Sequence, residues 1–149
     1  MLIQKITLCN LNSIQGEQVI DFTKEPLRSA GLFAITGNTG AGKSTILDAI
    51  CLALYNRAPR FDNVELLNNN IVNAEDATKR IQPKDVRGML RRGENAGYAI
   101  VEFSSRDGGI WEATWSVRRK RTGTLDRVSR TLRRLSPKRE TIDEREIAQ

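Results

Sequence analysis

Eight consecutive residues, Gly37-Asn38-Thr39-Gly40-Ala41-Gly42-Lys43-Ser44, have a spacing suited to gripping concentrated negative charge. A polyphosphate is held by backbone N–H groups that converge on it. Convergence needs a tightly curled chain with little side-chain bulk, which Gly37, Gly40 and Gly42 permit. Lys43 adds a compact cation for the outer phosphates, and Ser44 adds a hydroxyl able to ligate Mg²⁺. A helix starting here would aim its positive dipole end at the same anion. The pattern Gly-x4-Gly-Lys-Ser, followed by Thr45, therefore predicts a site for a nucleoside triphosphate such as ATP with Mg²⁺. A chance match in a glycine-bearing loop is the alternative, and the flanking segments argue against it.

Those segments are the ones a phosphate loop needs. Leu32–Thr36 is a short unbroken apolar run, which suits a buried parallel strand leading into the loop. Ser44–Tyr55 reads as a helix with almost no polar face, hence a buried one, ended by Pro59. Asp48 lies in the first turns of that helix, where the dipole stabilises a carboxylate. Upstream, Leu2–Cys9 and Gln18–Phe22 read as strands around a turn at Asn10–Gly16. The signal then weakens over residues 61–96. Leu66–Val72 has no clear period, and Asp85–Arg92 suits a short helix. It sharpens over 97–136 into an antiparallel meander. Tyr98–Phe103, an Asp107-Gly108 turn and Ile110–Val117 come first, then a Thr122-Gly123 turn and a third strand over Arg127–Leu135, broken by Pro137. Trp111 and Trp115 share a strand face and suit a core. Thr141 and Glu144 have capping-box spacing, which predicts a helix over 141–149 that starts without stopping, as in a piece of a longer protein. The fold class is α/β, a P-loop strand and helix with an attached antiparallel sheet.

Composition limits the remaining chemistry. The chain has 149 residues, enough for one domain, and 39% hydrophobic with 28% charged residues suit a globular fold. No apolar run reaches the length of a membrane span, and the N-terminus has no export pattern, so the expectation is a cytoplasmic protein with no membrane partner. Histidine is absent, which removes the commonest general base and most zinc sites, and Cys9 and Cys51 suit reduced buried thiols. The net charge of +6 is uneven: residues 118–139 hold ten basic side chains against Asp126, a local +9, leaving the remainder at −3. Such a segment predicts a polyanion partner, DNA, contacted through its phosphates. The candidates are Arg118, Arg119, Lys120, Arg121, Arg130, Arg133 and Arg134, although a charged run is ordinarily a solvated face.

One family matches these residues. Asn10-Leu11-Asn12-Ser13, Asp21-Phe22-Thr23, Gly31–Gly37 and Gly40–Tyr55 closely resemble the N-terminus of the SbcC family, ATPase subunits of bacterial SbcCD exonucleases, densely over the first 60 residues and more loosely afterwards. The resemblance implies an ABC-type ATPase head assembled from two chain ends separated by a coiled coil with a zinc hook. It further implies ATP-dependent pairing of two heads, an SbcD-like nuclease partner, and DNA on the joined surface in repair and recombination, with a nucleoid-associated location. It places Asn12 and Ser13 close to the nucleotide. No signature motif, no aliphatic run ending in Asp-Glu, no Q-loop context, no heptads and no Cys-x-x-Cys occur here. The sequence therefore reads as an N-terminal lobe (1–149, with its P-loop core over 1–60) that holds no catalytic residue for hydrolysis. A RecF-like or chromosome-structural ATPase, a P-loop kinase of small molecules and a non-enzymatic DNA-binding module are the rival readings.

Overall fold

The computed structural model describes residues 1–61, 84–106 and 108–135, together with the backbone of 141–146. Among these residues the regular structure is six strands and one α-helix. They are β1 (Leu2–Cys9), β2 (Glu17–Asp21), α1 (Lys43–Tyr55), β3 (Ala96–Ser104), β4 (Ile110–Arg118), β5 (Ser129–Leu135) and β6 (Thr141–Glu146). One-turn 3₁₀ segments lie at Pro59–Phe61 and Val86–Met89. The strands form a single sheet in the order β2-β1-β3-β4-β5-β6, with every pairing antiparallel. The meander over β3, β4 and β5 agrees with the sequence reading. It is not a separate sheet, however, because β1 pairs with β3 from Leu2↔Ser104 to Cys9↔Tyr98 and joins both halves of the chain.

Helix α1 lies across one face of β1, β3 and β4. The buried surface between them is Ile6, Leu8, Ala99, Val101, Ala113, Trp115 and Val117 from the sheet and Ala49, Leu52 and Ala53 from the helix. The alanines let the helix approach closely, and Trp115 fills the remaining volume with no exposed surface. Trp115 Nε1 donates to Asn56 Oδ1 at 2.9 Å. Asn56 is left-handed, with φ 54°, and its N–H turns back to the Cys51 and Leu52 carbonyls to end the helix. One residue therefore stops α1 and satisfies the buried indole. The opposite sheet face is a polar ladder. Asp21, Lys5, Glu102, Glu112 and Arg133 are successive neighbours across five strands. Lys5 pairs with Glu102 at 3.0 Å, and Arg133 with Glu112 at 3.2 Å.

Four expectations are corrected. Leu32–Thr36 is not a strand: Leu32 is 91% exposed, and Phe33 and Ile35 are also exposed. A parallel strand needs flanking strands to take its backbone hydrogen bonds, and the described sheet offers none at this position. The Phe22 ring, 5.1 Å from that of Phe33, is its ring contact. Helix α1 is not buried all round, because Leu47 and Tyr55 face outward. Thr141–Glu146 is a strand instead of the start of a helix. It pairs with β5 from Leu135↔Thr141 to Thr131↔Glu146, and the free edge of β5 satisfies its backbone where an isolated helix of nine residues would be marginal. Asp85–Arg92 contains a single 3₁₀ turn, with Asp85 Oδ1 accepting from Arg87 N at 2.9 Å. Leu66–Val72, Asp107, Pro137, Lys138 and Arg139 lie outside the described residues.

Candidate nucleotide-binding site

The loop that the spacing singled out is an exposed connection whose curl rests on its glycines. Gly37, Gly40 and Gly42 have φ of 152°, 85° and 93°. Gly42 is the most demanding of them. It is left-handed, it is the N-cap of α1, and a Cβ on it would collide with Ile14 Cδ1 and come within 3.3 Å of Ser13 Oγ. No side chain caps α1, and no acidic residue lies in its first turn. The leading N–H groups of the helix and its positive dipole end are therefore uncompensated at the mouth of the loop. Lys43 folds back over this mouth, its Nζ donating to Gly37 O at 2.6 Å and Asn38 O at 2.8 Å. Ala41 N donates to Asn38 O at 3.2 Å and tightens the turn.

Loop 10–14 supports the start of the helix from below. Asn10 and Asn12 are left-handed, at φ 50° and 49°, which asparagine tolerates better than most residues. Asn10 Oδ1 accepts from Gly16 N at 2.8 Å, Asn12 N donates to Met89 O at 2.8 Å, and Arg91 Nη1 donates to Asn12 O at 3.0 Å. Gly97 lets this loop lie against β3, since a Cβ there would sit 2.8 Å from Asn10 O. The result sets Ile14 against Gly42 and places Ser13 Oγ 3.4 Å from Thr45 Oγ1.

Behind the loop lies a charged pair that the sequence reading missed. Asp48 is buried, its carboxylate accepting from Arg60 Nε at 2.6 Å and paired with Arg60 Nη2. Arg60 Nη2 also reaches Thr45 Oγ1 at 3.4 Å. Beyond the dipole stabilisation that its place in the helix suggests, Asp48 is one half of an ion pair. The available signal was a single acid in an apolar helix, with an arginine following the proline a few residues beyond the helix end.

Of the sequence-predicted residues, Gly37–Thr45 and Ser13 come together at the N-terminus of α1. Ser44 is exposed beside Lys43, while the Thr45 hydroxyl is buried against Ser13 and Arg60. The uncompensated amides, the positive φ of the three loop glycines and the cation over the mouth fit a phosphate chain with Mg²⁺. Gly37–Thr45 would hold the phosphates, and Ser44 the metal ion. The basic candidates, by contrast, are dispersed. Arg133 lies on the polar ladder face, and Arg130 and Arg134 lie on the α1 face, opposite Trp115 and Trp111. Arg134 stands 5.8 Å over the Trp111 ring. Arg119 is tied to Gly123 O at 2.8 Å, Lys120 pairs with Asp126 at 3.5 Å, and Arg118 and Arg121 are exposed. Trp115 is core, as its spacing predicts.

An antiparallel sheet with one helix packed across it behind a glycine loop is the frame of the site, and the sequence assigns it to an ATPase family. The sequence model of the AAA domain family matches residues 5–147, and the chain is a member of that family. It is 47% identical over 138 residues to the SbcC subunit of the SbcCD nuclease of Pseudomonas aeruginosa, a match that covers 91% of this chain and 11% of the relative. It is 47% identical over 137 residues to the same subunit from Rhodobacter capsulatus, covering 90% and 11%. It is also 40% identical over 89 residues to the probable DNA double-strand break repair Rad50 ATPase of Aquifex aeolicus, covering 60% and 7%. The chain spans about a tenth of the length of these relatives. Its resemblance to the SbcC family extends well past the first 60 residues. Among the described residues, no helix is long and apolar enough to cross a membrane.

Proposed function

We propose that this chain is the N-terminal lobe of an ABC-type ATPase head and binds ATP with Mg²⁺. In the whole protein it would be the ATP-hydrolysing subunit of a DNA double-strand-end nuclease complex acting in repair and recombination. Its partners would be an SbcD-like nuclease subunit, DNA and a second head, at a cytoplasmic, nucleoid-associated location. The observation that carries the reading is the uncapped N-terminus of α1, with Lys43 folded over the glycine loop that precedes it. The names of the relatives supply the DNA and nuclease context.

Mg²⁺ would polarise the terminal phosphates once bound. The chain's own residues account for binding rather than turnover. The loop amides and Lys43 neutralise the phosphates, Ser44 offers its hydroxyl to the metal ion, and Ser13 braces Thr45. Hydrolysis also needs a positioned water and further metal and phosphate contacts, which the sequence does not encode here. They would come from other parts of the whole protein and from the partner head. The nucleotide site is tested by calorimetry. Lys43→Ala should sharply weaken MgATP binding without unfolding the chain, and equal affinity in variant and wild type would remove the site assignment.

A further inference from the structure

The far end of α1 carries a second feature with its own charge. Between the end of the helix and the entry to β5 lies a cleft of about 390 Å³. Tyr55 and Asn56 form one wall, Asp85 and Arg87 another, and Arg127 and Arg130 a third. It is separate from the nucleotide loop, because the 13 residues of α1 lie between them, about 20 Å at 1.5 Å per residue.

The charges in the cleft do not cancel. Arg87 and Asp85 neutralise one another, with Nε to Oδ2 at 2.9 Å and Nη2 to Oδ2 at 2.6 Å. Arg127 and Arg130 make no salt bridge among the described residues, and Asp126, the acid that acts on Arg127, is already paired with Lys120, so the cleft keeps a net positive charge. Arg130 Nε is buried and donates to no acceptor among the described residues. A buried donor in that state is costly, and Arg133 Nε on the opposite face shares it. The negative end of the α1 dipole is nearby, but it amounts to about half a charge against two guanidinium groups. Arg134 stands on the same face of β5 as Arg130, four residues on, about 13 Å along the strand. A single phosphate ion cannot span that distance, whereas a polymer of phosphates can.

We propose that Arg127, Arg130 and Arg134 form a track on the α1 face of the sheet for a phosphodiester backbone, an assignment that rests on reading DNA as the polyanion partner. The track excludes Arg133, which lies on the opposite face of the sheet and pairs with Glu112, and Arg119 and Lys120, which bond Gly123 O and Asp126, and it adds Arg127, which the sequence reading left out of its candidates. Contacts of this kind position a duplex without reading its sequence.

The test uses the full-length protein with MgATP and duplexes of unrelated sequence, followed by fluorescence anisotropy across a salt series. Arg127→Gln/Arg130→Gln should weaken every duplex at least tenfold at low salt. It should also flatten the logarithmic salt slope by about 1.8, two contacts at about 0.9 each, and leave ATP affinity unchanged. Arg118→Gln/Arg121→Gln, at exposed positions off the track, should change neither slope nor affinity. A cleft variant that binds like wild type, or a loss confined to the Arg118/Arg121 variant, overturns the track and leaves the DNA reading standing. Wild-type protein that binds no duplex at any salt overturns both. Arginine-modification footprinting by mass spectrometry gives a second readout. Duplex should protect Arg127, Arg130 and Arg134 together, and inorganic phosphate should not protect all three. Absence of protection by duplex refutes the proposal.

Discussion

Arg60→Ala should destabilise this fold more than Asp48→Ala, although the two substitutions break the same ion pair. The reason is unequal burial: the side chain of Asp48 is 3% exposed and that of Arg60 is 30% exposed. Removing Asp48 frees a guanidinium that already reaches water and can keep its contact with Thr45 Oγ1. The loss is then little more than a charge-assisted hydrogen bond, about 1.5–3 kcal/mol. Removing Arg60 leaves a carboxylate that is 3% exposed without the guanidinium that pairs with it. Breaking a buried pair in that direction costs about 3–5 kcal/mol, a large part of the stability of a domain this size. The double variant Asp48→Ala/Arg60→Ala should be more stable than Arg60→Ala alone, because the stranded charge has gone. Urea denaturation of the four proteins, followed by tryptophan fluorescence, measures the whole cycle. Equal costs for the two single variants, or a double variant less stable than Arg60→Ala, would refute the burial argument.

Gly42→Ala puts a Cβ at a left-handed residue and into Ile14. It should cost about 1–2 kcal/mol from the backbone alone. It should also weaken MgATP binding by displacing Ser13 and the start of α1, and adding Ile14→Ala should recover part of the stability; calorimetry and denaturation check both. Tyr98 donates to Glu17, and this hydrogen bond holds the phenol above its ordinary range. The folded state therefore keeps this proton more tightly than the unfolded chain does. The stability it contributes is complete below about pH 10, the ordinary tyrosine value, and declines as pH rises above it. Tyr98→Phe should remove that decline, as measured by urea midpoints at pH 8 and pH 11.

What the sequence determined by itself is whatever depends on neighbours along the chain. The curl of the glycine loop and the helix after it were legible because they are set by glycine conformations and residue types within a short stretch, and the phosphate site proposed there rests on one lysine and one hydroxyl in the same eight residues. The β1–β2 hairpin and the β3–β5 meander were legible for the same reason, since alternation and short turns fix pairing between consecutive strands. What only the tertiary structure decided is who pairs with whom across long separations. Nothing in Leu2–Cys9 announces that its partner is Ala96–Ser104. The Thr141–Glu144 spacing is sound as a local helix signal, yet the open edge of β5 overrides it. Leu32–Thr36 has the composition of a buried strand, but composition supplies no neighbouring strands. The Asp48–Arg60 pair and the arginines beside the end of α1 emerge only once the helix lies across the sheet. Burial and convergent charge are properties of the packed chain, and no window of sequence contains them.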